Sequence, residues 1–262
     1  AAFIPGLTLS VLYMIYISIR CFLQPKLAPA VPIEDRSESF SKKTVMVLQT
    51  VAPTAILILS VLGAIYFGIA APTEAAAVGA VVATLLTLAY RRLTVKVLMD
   101  VALSTIKLTG MVLLIASCST TFVSVFLSAG GGQVVEGFIL GFPGGRWVVF
   151  AMIMVICFIL GAFIDWIGII FVMVPILAPI VPKLGFDPLW FAMMIIVNLQ
   201  MSFLTPPFAY AMFFLKGAAA PELGISTSDI IRGMIPYVFI VVIVLALMIA
   251  FPQLALWLPS TM

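Results

Sequence analysis

The chain has 262 residues, 64% of them hydrophobic and 9% charged, against about 25% charged in soluble domains. With a net charge of only +3, no soluble domain of this length hides so much apolar surface, so lipid is the solvent for most of the chain. This excludes a cytosolic enzyme, a nucleic-acid binder and a secreted domain. Histidine is absent, which removes His general bases, HExxH zinc sites and His proton relays. Cys21, Cys118 and Cys157 all lie in apolar stretches and read as small packing residues, not as a disulfide framework or a transition-metal site. The chain opens on Ala1, without an initiator Met or a basic leader, and reads as the back part of a longer chain.

A helix crossing the hydrocarbon core needs about 20 mostly apolar residues. The first such stretch runs from Phe3 to about Leu23, followed by a polar linker from Gln24 to Thr44 that holds Pro25, Pro29, Pro32 and the mixed charges Glu34, Asp35 and Arg36. Val45 to Ala71 is the second span. A tight break at Ala71, Pro72, Thr73 and Glu74 leads to a third, Ala75 to Tyr90. Pro72 ends the helical ladder, Thr73 is expected to cap the next helix, and Glu74 sits in its first turn, where a negative charge is favoured.

Arg91 to Ser104 places Arg91, Arg92, Lys96 and Asp100 among Leu93, Val97, Leu98 and Val101. The helical spacing of the apolar residues predicts a separate amphipathic helix along the membrane interface. Leu108 to Leu127 is apolar but interrupted by Ser117, Cys118, Ser119, Thr120 and Thr121, and it ends in Gly130, Gly131 and Gly132. Two readings of the hydroxyl run stand side by side. It is either the tip of a re-entrant hairpin or a stretch of ordinary helix whose Ser and Thr bond back to their own carbonyls.

A short amphipathic piece, Gln133 to Leu140, and a glycine-rich turn lead to Trp147–Pro182, which is too long for one crossing and is split near Asp165. Asp165 is the one carboxylate deep in a long apolar run. It is either an intramembrane functional residue or part of an interfacial turn. Asp187 to Leu204 ends in Thr205, Pro206 and Pro207; an apolar half-length reaches Leu215, a polar loop spans Lys216 to Arg232, and a last span runs from Met234 to about Leu258. Trp147, Trp166, Trp190 and Trp257 are expected near span ends, as an aromatic belt.

The strongest pattern is Asn198, Ser202, Thr205, Pro206 and Pro207. Neither proline has an N–H, so the carbonyls of Ser202 and Phe203 lose their helical partners. Such a break at membrane depth must line protein or a wet cavity. Its carbonyls and the hydroxyls of Ser202 and Thr205 are hard oxygen ligands suited to sodium. The competing reading is a proline kink accommodated by neighbouring helices. Nine of the 13 basic residues (Arg20, Lys26, Arg36, Lys42, Lys43, Arg91, Arg92, Lys96 and Lys107) lie in or beside two loops separated by two spans, which puts both loops on the cytoplasmic side. The fold class is thus an all-α integral membrane protein, a multi-span helical bundle, to which the hairpin and helix-break readings would add a re-entrant hairpin and broken helices.

Four strings, in order, carry a family resemblance: Gly68 to Ala77 with Pro72-Thr73-Glu74 at its centre; Pro175 to Ile180; Gly185 to Pro188; and Asn198 to Pro207. The chain resembles the large membrane subunit, DctM type, of tripartite ATP-independent periplasmic (TRAP) transporters over essentially its whole length, but only the back part of a family chain. The resemblance implies a sodium-driven secondary importer in the bacterial inner membrane that takes up an organic acid, typified by dicarboxylates, as a symporter. It also implies a small membrane subunit and a periplasmic binding protein as partners, sodium as coupling ion with no organic cofactor, and no enzymatic activity. The architecture implied is an elevator carrier with one of two inverted repeats present. Residues 1–90 would be scaffold helices, 91–106 an arm helix, 107–220 the transport domain, and 221–262 a loop and last span. By position, Ser117, Ser119 and Thr120 would belong to the second hairpin tip and Ser202 to Pro207 to the second helix break. With Asp165 and Asn198 they make up the expected sodium and substrate site, and Pro72, Thr73 and Glu74 a structural motif. Many members have Gly where this chain has Ala209. The rival readings are a related carrier that needs no binding protein, an intramembrane aspartyl enzyme, for which only Asp165 is deep enough, and a structural scaffold.

Overall fold

The computed structural model describes residues 1–25, 40–207, 209–219 and 224–261. The linker residues Pro29, Pro32 and Glu34 to Arg36 therefore lie outside the described residues. The described elements are eleven helices: α1 (Phe3–Leu23), α2 (Phe40–Tyr66), α3 (Pro72–Ala89), α4 (Val95–Ser128), α5 (Gly131–Leu140), α6 (Arg146–Phe163), α7 (Trp166–Leu177), α8 (Pro188–Leu204), α9 (Tyr210–Ala218), α10 (Thr227–Ala250) and α11 (Gln253–Ser260). Six of them, α1 to α4, α6 and α10, are long and apolar enough to cross a membrane. The chain divides into two units, residues 26–109 and residues 1–25 with 110–262.

In the smaller unit, α2 packs against α3. A Cβ on Gly79 of α3 would stand 2.9 Å from Val61 Cγ2 of α2, so the missing side chain is what admits the neighbouring helix. The cap of α3 differs from expectation. The N-cap is Ala71, Pro72 takes the first helical position, and Glu74 accepts the Ala71 N–H at 2.9 Å. Thr73 lies within the first turn and does not cap, because Pro72 fits the first position, where no N–H partner is needed.

Helix α4 overturns two expectations. The predicted arm helix and the apolar segment after it form one helix of 34 residues, about 51 Å long. Thr94 Oγ1 accepts the Val97 N–H at its start. The hairpin tip expected at Ser117, Ser119 and Thr120 is mid-helix. Thr120 Oγ1 donates to the Ala116 carbonyl and Thr121 Oγ1 to the Ser117 carbonyl, each at 2.8 Å. Those hydroxyls are satisfied within their own helix, and no proline interrupts the ladder there.

The larger unit is built on α8. Ten of its 17 residues are buried, among them Trp190, Phe191, Met194, Asn198 and Ser202, and it packs against α6, α7, α9, α10 and α11. The buried positions cover most of its circumference, leaving a stripe at Leu189, Ile196 and Gln200 exposed. Asp187 caps its start, accepting the Trp190 N–H at 2.8 Å. Trp190 is no belt residue: it is 4% exposed, and its Nε1 donates to the Met248 carbonyl at 3.0 Å, tying α8 to the end of α10. Helix α1 packs on α10 and α11. Tyr13 and Tyr16 stand edge-on to Tyr237, with ring centroids 5.0 and 5.4 Å apart. The last expected span is two helices, since Phe251 and Pro252 end α10 and start α11.

Replacing Trp190 with Phe removes the tie to Met248 while keeping most of the buried ring. It is expected to lower stability by about 1 kcal/mol, read as a fall in the melting temperature of the detergent-solubilised protein by circular dichroism.

Candidate functional site

The long apolar run from Trp147 divides where expected. Helix α6 stops at Phe163, Ile164 and Asp165 are extended, and α7 starts at Trp166. The far ends of this pair return to one another: Arg146, at the start of α6, donates from Nη1 to the Gly185 carbonyl at 3.3 Å. Helices α6 and α7 therefore form a hairpin with its tip at Ile164–Asp165 and its base at Arg146 and Gly185. A hairpin is thus found one segment after the hydroxyl run. The overlooked signal was two short apolar arms about a single carboxylate. Asp165 was singled out as a residue, but not as a hairpin tip.

Helix α8 runs beside this hairpin and breaks near its tip. It ends at Leu204, Thr205 is extended at φ −105° and ψ 126°, and α9 begins only at Tyr210. This is a break, not a kink. The Thr205 N–H reaches the Ser202 carbonyl at a long 3.4 Å, and Pro206 and Pro207, joined by a cis peptide, have no N–H to offer. Ala209 has φ 25° and is fully buried. Positive φ is where glycine is least costly, which gives a physical reason for the glycine that many resembling chains carry there.

Hairpin and break meet through four side chains. Asn198 Nδ2 donates to the Met154 carbonyl of α6 at 2.9 Å, a bond buried between the two helices. Ser202 faces Gly161, and a Cβ at 161 would collide with Ser202 Oγ and Cβ. Asp165 is half-buried; its Oδ2 accepts the Ile167 N–H at 3.4 Å and its Oδ1 the Tyr210 hydroxyl at 3.3 Å. Tyr210, which leads α9, was not identified from the sequence. Its position one helical start after a double proline was the available signal. Phe203 also packs on the Tyr210 ring, with centroids 5.7 Å apart.

Ser202 is the anomaly. Its Oγ is the one buried side-chain polar atom without a hydrogen-bond partner among the described residues. An unpaired buried hydroxyl costs about 1–3 kcal/mol. Thr205 Oγ1, by contrast, donates back to the Met201 carbonyl at 2.8 Å and keeps its lone pairs as acceptors. Asp165 thus meets Tyr210 at the hairpin tip, Ser202 lies against Gly161 one turn before it and Asn198 is bonded farther down the α6 arm, with Thr205, Pro206 and Pro207 forming the break that follows α8. Ser117, Ser119 and Thr120 have no hydrogen bond to that group; the bonds of the Thr120 and Thr121 hydroxyls stay within α4. Pro72, Thr73 and Glu74 form a helix start in the other unit. No cluster of three or more His, Cys, Asp or Glu capable of holding a metal occurs among the described residues.

Two substitutions probe this packing. Gly161→Ala is expected to destabilise the protein by about 1–3 kcal/mol through overpacking. Adding Ser202→Gly opens the space, so the double variant should be more stable than the sum of the single changes implies, by about 0.5–3 kcal/mol; additive melting shifts would refute the contact. At Ala209, Gly should leave stability within about 1 kcal/mol, whereas Val should lower it by more, as a β-branched residue is poorly tolerated at positive φ.

A sequence profile of the family described as the tripartite ATP-independent periplasmic transporter, DctM component, matches residues 1–254. The chain is 29% identical over 261 residues to the sialic acid TRAP transporter large permease protein SiaM of Vibrio cholerae, covering 99% of this chain and 58% of that one. It is 28% identical over 263 residues to the C4-dicarboxylate TRAP transporter large permease protein DctM of Pseudomonas aeruginosa, again covering 99% and 58%. It is 31% identical over 257 residues to the ectoine TRAP transporter large permease protein TeaC of Halomonas elongata, covering 97% and 57%. The chain spans about half the length of the curated relatives it matches. These relatives are transporter permeases, not enzymes. With its helical membrane architecture and a profile match over nearly its whole length, the chain belongs to the DctM family of TRAP transporter large permeases.

Proposed function

We propose that this chain forms part of a sodium-coupled importer of an organic acid in the bacterial inner membrane. The observation that carries the reading is the meeting of the α6–α7 hairpin tip with the α8–α9 break, where Ser202 Oγ is buried and unpaired. Sodium binds hard oxygens, and this junction offers the Ser202 and Thr205 hydroxyls, the carbonyls beside Pro206 and Pro207, and the Asp165 carboxylate. A bound cation satisfies the Ser202 oxygen and offsets the charge of Asp165. Asn198 holds the hairpin arm against α8, so both walls of the site stay in register.

The substrate sits beside the cation at the same junction. The starts of α7 and α9 bring helix N-termini to the tip and the break, and partial positive charge there favours a carboxylate. Relatives named for sialic acid, C4-dicarboxylate and ectoine differ in cargo, so the class proposed is an organic acid, dicarboxylates included. A small membrane subunit and a periplasmic binding protein complete the system, and the hairpin with its broken helix forms part of a mobile elevator domain. The basic loops about Lys42 and Arg91 face the cytoplasm.

The test is uptake of candidate acids into liposomes holding the full-length permease and its small subunit, under an inward sodium gradient, with and without the binding protein. Uptake that needs both sodium and the binding protein is expected. Uptake without the binding protein would replace the tripartite reading with a stand-alone carrier. Ser202→Ala and Thr205→Val should each raise the sodium concentration needed for half-maximal uptake by about tenfold, the equivalent of losing ~1.4 kcal/mol of binding. Unchanged sodium activation in both would sink the site.

A further inference from the structure

The base of the hairpin, at the opposite end of α6 from the tip, holds a second constellation. Arg146 lies over two aromatic rings, its guanidinium carbon 5.5 Å from the centre of Trp147 and 5.3 Å from that of Phe186. Its Nη1 also donates to the Gly185 carbonyl. An exposed arginine is ordinarily mobile; this one is held in one orientation by stacking and a hydrogen bond. It has no carboxylate partner among the described residues, and most of its N–H donors remain open. Beside it a groove of about 220 Å³ runs between the starts of α6 and α8 and the α10–α11 corner, walled by Phe186, Trp190 and Leu256 among others. Asp187 stands on the same groove. Its Oδ1 caps α8, and its Oδ2 has no protein partner among the described residues.

We infer that this groove binds a membrane phospholipid with a zwitterionic ethanolamine headgroup, its phosphate on Arg146 and its ammonium on Asp187. The apolar walls continue into the exposed side chains of Trp147, Ile249 and Phe251, a surface suited to acyl chains and not to a free aqueous anion. Arg146 is the first residue of an apolar helix of 18 residues, about 27 Å long, so it stands where a bilayer places its phosphates. Its fork of N–H donors matches phosphate oxygens. The neighbouring Asp187 repels a purely anionic headgroup and accepts an ammonium, so the paired charges select for a zwitterion. The lipid would hold the hairpin base against the α10–α11 corner. This site is independent of the proposed cation site at the tip.

The test is native mass spectrometry of the full-length protein in detergent, titrated with phosphatidylethanolamine and with phosphatidylglycerol. Wild type should retain phosphatidylethanolamine in preference to phosphatidylglycerol, and Arg146→Gln should cut that retention by at least about fivefold. Asp187→Asn keeps a good helix N-cap, so it should fold, and it should abolish the preference between the two lipids. Equal retention of phosphatidylethanolamine by wild type and Arg146→Gln would overturn the proposal. So would a preference unchanged in Asp187→Asn, or displacement of the lipid by millimolar inorganic phosphate, which would make the groove a free-anion site.

Discussion

A backbone carbonyl or amide inside a bilayer has no water to turn to, and each one left unpaired costs several kcal/mol. That constraint makes every described element of this chain a helix, and it makes the one deep interruption of a helix informative. Thr205 to Pro207 break the ladder directly after α8, ten of whose 17 residues are buried. At the break itself Thr205 is half-buried and Pro206 and Pro207 are exposed. The α6–α7 hairpin ends beside that break, and the contacts between them form the candidate site.

Close approach depends on two small details. Gly161 has no side chain, so α6 comes within contact of Ser202. Asn198, one turn earlier on α8, spends its amide on a carbonyl of α6 and not on its own helix. The first permits proximity and the second sets the register. The result is a buried Ser202 hydroxyl with no partner among the described residues.

The two ends of the hairpin differ in chemistry. The tip gathers oxygen atoms and one negative charge, suited to a hard cation. The base gathers a fixed guanidinium, aromatic rings and one carboxylate, suited to a lipid headgroup. The arms between them are mostly apolar. Residues that matter for chemistry therefore concentrate at the two turns, where backbone geometry and not hydrophobicity decides the sequence.

Composition alone placed this chain in lipid, because 9% charged residues cannot clothe a soluble surface of this size. The spans followed from apolar length, and the break at Pro206 and Pro207 followed from the absence of an N–H. Those features are local, and local physics suffices for them. The hydroxyl run at Ser117 to Thr121 was ambiguous for the same reason: Ser and Thr serve equally at a turn or bonded back into a helix, and only the continuous α4 decides between them. Likewise, nothing local says that Gly161 meets Ser202, that Tyr210 meets Asp165, that Trp190 is buried against Met248, or that α1 packs with α10. These pairings join residues from about forty to more than two hundred positions apart; even Tyr210, which follows the double proline closely, finds Asp165 only because the hairpin and α8 lie side by side. In lipid every apolar face is equally well solvated, so hydrophobic pattern marks which segments enter the membrane but not which neighbours they choose; that choice was left to steric fit and to single polar contacts, which exist only in the folded chain.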